Sequence, residues 1–449
     1  MLNARHTDTH YGADIKAFYY GNEYYLFVTE VFKDVRLVGA PPSSIGKYGK
    51  DTDNWVWPRH TGDFSLFRVY TGPNGLPAEY SPENIPLKPR HFLPISLDGV
   101  KEKDFTMVYG FPGQTQEYLT ADGVDMIMNV QDPIRIELRA KRLEIIDAAM
   151  MQDDQVRIQY ASKQSGISNG YKKWQGEIRG LKRDNAIEKK KEFEAEFTKR
   201  INANAEWKEA YGGILDEFEK YYKELEPLMV GVQYFSEAGY SIEVVNAAAR
   251  LTRFIGNLSE TSSDADKQAV IEKLERFGNN FFKNYSPSID QKITATMLSS
   301  YNDDVPEALK PEIIKAISLE YNSNFEAYAK SLFEQSSLVD KDRYDAMVND
   351  FSLEKVREDP AFHLMAGLYQ SYYQVSPKYY QVRDEIDRLN RTYMKALREV
   401  FPEKQFYPDA NSTLRVSFGK IEGMQPRDGV TYKPFTTLDG VINKYKPGD

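Results

Sequence analysis

Three groupings of residues in this chain have the types and spacing that chemistry needs. The first is Asp53-Asn54-Trp55-Val56-Trp57-Pro58-Arg59-His60-Thr61-Gly62-Asp63-Phe64, which places two of the four tryptophans beside a polar, glycine-broken turn. Amphipathic rings next to Asn, Arg, His and Asp are what a recognition site needs. His60 and Asp63 could form a dyad, although no nucleophile stands beside them, and on spacing alone Asp63 reads as a turn or cap residue. The second, Gly166-Ile167-Ser168-Asn169-Gly170, matches the Gly-x-Ser-x-Gly elbow, in which a tight strand-to-helix turn pushes a serine hydroxyl out of a sheet. Residues Val156 to Lys163 before it continue a helical pattern, and the sole downstream histidine, His363, reads as part of a helix face. A break between helices made by two glycines explains the motif better. The third is a possible cation site, at Asp153-Asp154 or at His6 and His10. The two histidines lie four apart but lack the helix and the glutamate of a metalloprotease motif, so a frayed terminus accounts for them.

Composition narrows the field. The 449 residues contain no cysteine, which removes disulfides, thiolate nucleophiles and cysteine-ligated metal centres. Only five histidines are present: His6, His10, His60, His91 and His363. With 58 Lys+Arg against 67 Asp+Glu the formal charge is −9, and no basic tail offsets it, which argues against nucleic acid as a partner. No apolar run is long enough to span a bilayer. Met1 to His6 lacks the pattern of a signal peptide. No cofactor is expected.

The elements that must position these residues fall into three stretches. Residues 1–130 carry short runs rich in aromatic and branched residues, at Tyr24–Val28, Val35–Val38, Ser65–Tyr70 and Phe105–Tyr109, separated by Gly, Pro, Asn and Asp clusters. No amphipathic helix intervenes, so this region reads as an antiparallel barrel or sandwich. At Asp132-Pro133 a capping aspartate followed by proline predicts a helix start. Residues 131–408 then read as a helical domain, with core-facing stripes such as Phe193, Phe197 and Ile201, and Ile386, Leu389, Tyr393, Leu397 and Val400. From 409 to 449 the pattern is β again, too short to bury a core alone, so it is expected to join the first β region.

The first grouping resembles the signature of the bacterial serine dipeptidyl-peptidases of the type 7 and type 11 group, peptidase family 46. So do Phe27 to Pro42, Tyr109-Gly110-Phe111-Pro112-Gly113 and Tyr432 to Gly440. The resemblance implies an α+β protein: a chymotrypsin-like double β-barrel, partial here, with a large inserted helical domain. It implies that Asp63 is the triad aspartate, and that Asn54, Trp55 and Asn169 bind the free α-amino group of a peptide substrate. Asn169 rather than Ser168 is then the functional residue of the second grouping. Peptides with a free N-terminus are the implied partners, with a homodimer and a periplasmic or cell-surface location for the full-length enzyme.

The family's histidine segment, Asn-His-His-Cys-Gly-like, and its serine segment, Gly-Asn-Ser-Gly-Ser, do not occur here. The sequence therefore reads as the middle of such an enzyme, expected to be inactive by itself. The alternative is a non-catalytic homologue that captures peptide N-termini; an α/β-hydrolase using Ser168 and His363 ranks behind both. The helical region is expected to be stable alone and the β regions poorly ordered. Hydrogen exchange should thus show protection concentrated between residues 131 and 408; uniform protection of residues 1–130 would contradict this.

Overall fold

Antiparallel pairing between strands from the two ends of the chain organises the structure. The computed structural model describes residues 10–443 except residue 260, and the side chains of residues 50 and 51 are likewise not described. The chain divides into a β-rich unit, formed before Thr120 and again from Asn390 onward, and a helical unit, Thr120–Leu389.

In the β-rich unit, β1 (Tyr11–Phe18) and β2 (Glu23–Glu30) form an antiparallel hairpin. β3 (Val35–Gly39), β4 (Leu66–Thr71) and β5 (Ile85–Pro86) form a three-stranded sheet. β6 (Phe105–Gly110) pairs with β7 (Arg415–Lys420), Phe105 opposite Lys420 and Gly110 opposite Arg415. β8 (Met424–Arg427) and β9 (Val430–Tyr432) complete the set. The strands read from sequence are present as β2, β3, β4, β6 and β7; β1, with Lys, Asp and two alanines, carries no such signal. The C-terminal β stretch does join the first, through β7. Among the described residues these small sheets close no barrel.

Two features hold this unit together. Asp34, 3 % exposed, accepts from Arg36 Nε and Nη2 at 2.9 and 2.7 Å and from Asn84 Nδ2 at 2.8 Å. The Arg36 guanidinium holds the Asp34 pKa down at about 2, and it also lies 3.8 Å from the centroid of the Tyr70 ring. The second is a stitched junction between β6 and β7. Asp409 Oδ1 accepts from Thr115 Oγ1 at 2.7 Å and from the Glu117 amide at 2.8 Å, and the Ser412 amide donates to the Pro112 carbonyl at 3.0 Å. Arg415 donates to the carbonyls of Pro408 and Asp409.

The helical unit has a continuous apolar core, in which Leu138, Ile242, Val244, Leu274, Met297 and Leu364 are fully buried. Phe197, Ile201 and Phe218 face inward as their spacing requires. One expectation holds only in part: an α-helix does begin at Asp132, but it continues helical backbone already under way and has no side-chain cap. The helical backbone begins at Ala121, capped by the Thr120 hydroxyl, which accepts from the Gly123 amide at 3.4 Å. It runs through a π-helical stretch, Met126–Gln131, into the helix Asp132–Gln152. The wider π turn lets Pro133, which has no amide hydrogen to give, sit inside a helical run.

Asp132 is consequently an interior residue, 1 % exposed, with its Oδ2 buried and unbonded and Arg135 Nη1 3.6 Å from Oδ1. Burial, reinforced by the charge of Glu177, pushes its pKa up to about 7. An unfolded carboxyl ionises near pH 4, so folding stability should fall as pH rises from about 4 to about 7. Asp132→Asn removes this dependence. Relative to wild type it should gain about 2 kcal/mol between pH 5 and pH 8 in urea unfolding followed by circular dichroism; an identical pH response in both proteins would refute the assignment.

Candidate functional site

The first grouping forms a loop of the β-rich unit, between the short 3₁₀ turn Lys50–Asp53 and β4. The Val56 amide donates to the Asp53 carbonyl at 3.1 Å, the Gly62 amide to Ile45 at 3.0 Å, and the Thr61 hydroxyl to the Tyr48 carbonyl at 2.8 Å. Trp55 sits in the left-handed region, φ 59°, a conformation an L-residue keeps only where the surroundings impose it. Its ring is 59 % exposed, Asn54 is half-buried and Asp63 is exposed.

A second stretch of the same unit braces this loop. His60 Nε2 lies 2.9 Å from Thr436 Oγ1, and the Trp57 ring centroid lies 6.3 Å from that of Tyr432. Gly440 packs so closely on Pro58 that a Cβ there would lie 2.9 Å from its ring. The structure therefore brings Asn54, Trp55 and Asp63 onto one loop and seats that loop on the Tyr432–Gly440 stretch. It does not form the His60–Asp63 dyad: His60 turns to Thr436, and no hydrogen bond or ion pair joins it to Asp63.

Asn169 belongs to the helical unit. The supposed inter-helix break at Gly166 to Gly170 is absent, because the helix Asp154–Arg183 runs straight through it. That removes the strand-to-helix turn a nucleophile elbow needs, and Ser168 is buried at 5 % exposure while Asn169 is exposed. Gly170 lies against a neighbouring guanidinium: a Cβ there would meet Arg139 Nη1 at 2.6 Å, so that side chain would have to shift. Arg139 Nη1 donates to the Ile167 carbonyl at 3.4 Å, while its Nε and Nη2 grip Glu237 at 3.0 and 2.8 Å. Trp174, one turn beyond Asn169, is flanked by the guanidinium groups of Arg135 and Arg139 at 4.8 and 4.5 Å.

Sequence reading missed this support. Arg135 and Arg139 lie four apart on a helix, but charged residues on a helix face read as solvated, and their partners Gln233 and Glu237 are distant in sequence. The cation candidates have other roles. Asp153 caps the helix it precedes, accepting from the Gln155 amide at 2.7 Å, and Asp154 pairs with Arg157. His10 faces Glu30 at 3.4 Å, and His6 lies outside the described residues. His363 is exposed on the helix Pro360–Val400.

Comparison with known proteins places these features in context. The family profile described as peptidase S46 matches residues 2–449. An Asp/Glu-specific dipeptidyl-peptidase of Flavobacterium psychrophilum is 43 % identical over 97 % of this chain and 61 % of its own length. A dipeptidyl-peptidase 7 of Porphyromonas gingivalis is 38 % identical over 96 % of this chain and 60 % of its own. The crystal structure of Porphyromonas endodontalis DPP11 in complex with the dipeptide Arg-Glu matches with a TM-score of 0.84 and 32 % identity, covering 99 % of this chain and 63 % of that one. The chain thus spans about three fifths of the length of the relatives it matches.

Proposed function

The chain belongs to the peptidase S46 family, and from that membership we propose that it supplies the triad aspartate and the amine-recognition residues of a serine-type dipeptidyl-peptidase, an exopeptidase releasing dipeptides from free peptide N-termini. One observation carries the reading. The loop from Asn54 to Asp63 and the stretch from Tyr432 to Gly440, two separate parts of the sequence signature, are packed on each other through His60–Thr436 and Pro58–Gly440.

In this reading Asp63 fixes the tautomer of a catalytic imidazole and stabilises the imidazolium formed when the serine is deprotonated. Asn54 offers an amide oxygen to the substrate ammonium, and the Trp55 ring shields that contact from water, which strengthens it. Asn169, exposed on its helix, takes the same assignment within the helical unit. Holding the amine fixes where scission falls, two residues along. The finer fold reading, a chymotrypsin-like double barrel, is supported by apolar side chains on the two-stranded sheets: Leu26, Val28, Val108 and Phe418 are 63–76 % exposed, as strand faces awaiting a covering layer would be. A periplasmic or cell-surface location and a homodimer follow from the resemblance.

The second reading concerns these 449 residues as a polypeptide on their own, which contain neither the Asn-His-His-Cys-Gly-like segment nor Gly-Asn-Ser-Gly-Ser: capture of peptide N-termini without cleavage. A triad lacking its histidine or serine loses on the order of a millionfold in rate. These 449 residues should accordingly bind free-amine peptides, with acidic or apolar second residues, without releasing dipeptides. N-acetylation of the peptide, or Asn54→Ala, should weaken binding about tenfold in calorimetry. Equal affinity for the free and acetylated peptides would overturn the amine assignment. In a polypeptide that also carries both missing segments, Asp63→Ala should lower kcat by roughly 10⁴, and a variant that keeps its kcat would sink the triad assignment.

A further inference from the structure

The helical unit contains a cavity of about 380 Å³ that the peptidase reading does not use. Its walls come from the helices Asp132–Gln152, Glu243–Ile255 and Asp264–Phe281, and from the π-helical stretch Phe235–Gly239 with the turn after it. Arg139, Arg142 and Arg250 lie on the polar side; Phe277 and Phe281, stacked at 5.4 Å, form the apolar side.

Two carboxylates also face the cavity, and both are occupied. Glu237 is held bidentately by Arg139. Glu243 pairs with Lys163 and accepts from the Tyr160 hydroxyl at 2.7 Å. Arg142 has only a long ion pair with Glu237. Its side chain is 12 % exposed and stands 3.6 Å from Glu237, beyond good hydrogen-bond distance, and its Nε is buried with no hydrogen-bond partner. Arg250, exposed on the same side, forms no ion pair among the described residues. Burial without full compensation also lowers the Arg142 pKa.

A largely buried guanidinium whose ion pair is this long is under-compensated, and an anion brought beside it in the cavity supplies more of the missing compensation. The planar donor edge of arginine matches a carboxylate, two N–H groups to two oxygens. The paired phenyl rings opposite offer no hydrogen bonds and suit an apolar group. The geometry points to a binding site for a small organic carboxylate, its head group on Arg142 and Arg250 and its apolar tail against Phe277 and Phe281. The site lies within one unit and stands whether or not the peptidase reading holds. Arg139 lines the cavity and also donates to the Ile167 carbonyl, two residues before Asn169, so an occupant touches the support of that residue.

The test is calorimetric titration of the full 449-residue chain at pH 7 with 3-phenylpropionate, with the neutral isostere 3-phenylpropionamide, and with inorganic phosphate. Saturable binding of the carboxylate is expected, with the amide and phosphate each at least tenfold weaker. Arg142→Gln and Arg250→Gln should each weaken carboxylate binding about tenfold. Arg250 is exposed, so its variant keeps the fold and decides the question even if Arg142→Gln perturbs it; circular dichroism checks both. No saturable binding, equal binding of acid and amide, phosphate binding as tight as the carboxylate, or undiminished binding by folded Arg250→Gln would each overturn the proposal.

Discussion

The meeting of distant segments in the β-rich unit depends on one ladder: the antiparallel pairing of β6 with β7, strands separated in sequence by the whole helical unit. Without it the C-terminal stretch has no sheet to join, and Tyr432 to Gly440 would not be carried to the loop that holds Asn54, Trp55 and Asp63. The ladder is reinforced where backbone pairing ends, since Asp409 and Arg415 take up the amides, hydroxyls and carbonyls of the two connecting segments. Polar groups are used here because irregular backbone leaves donors and acceptors that must be satisfied individually.

The two units hold an exposed side chain of the proposed site in different ways. In the β-rich unit a glycine-broken loop is pinned by backbone hydrogen bonds and by packing of Trp57 and His60, so that Trp55 is kept in an unfavourable backbone region and faces solvent. In the helical unit an unbroken helix carries Asn169, and its face is fixed by a charged cluster, with Arg139 spanning Glu237, Trp174 and the Ile167 carbonyl. The first arrangement is local and its residues are adjacent in sequence. The second draws on helices far apart in the chain.

That difference explains what could be read in advance. Strands with aromatic and branched runs, helical stripes such as Phe197 and Ile201, and the loop from Asn54 to Asp63 are local patterns, and each was legible. Asp132 misled because Asp-Pro is a helix-start signal only when no helix already precedes it, and a π turn upstream absorbed the proline. Gly166 and Gly170 suggested a break, yet both lie inside one helix, with Gly170 packed beside a guanidinium from another. Glu237, Arg142 and the brace from Thr436 carry no local mark, since their meaning lies in partners brought close by tertiary packing.

The pairing of β6 with β7 also bears on the order in which the chain acquires structure. Joining these strands while the intervening polypeptide is still a random coil would close a loop of roughly 300 residues, an entropic cost of about 5 kcal/mol beyond the constant for any closure. Folding the helical segment first replaces that long coil with a compact body whose many contacts are short in sequence and therefore fast to form. β6 is then made long before its partner β7 and is among the last strands to be paired, and until then its apolar face stands open to self-association.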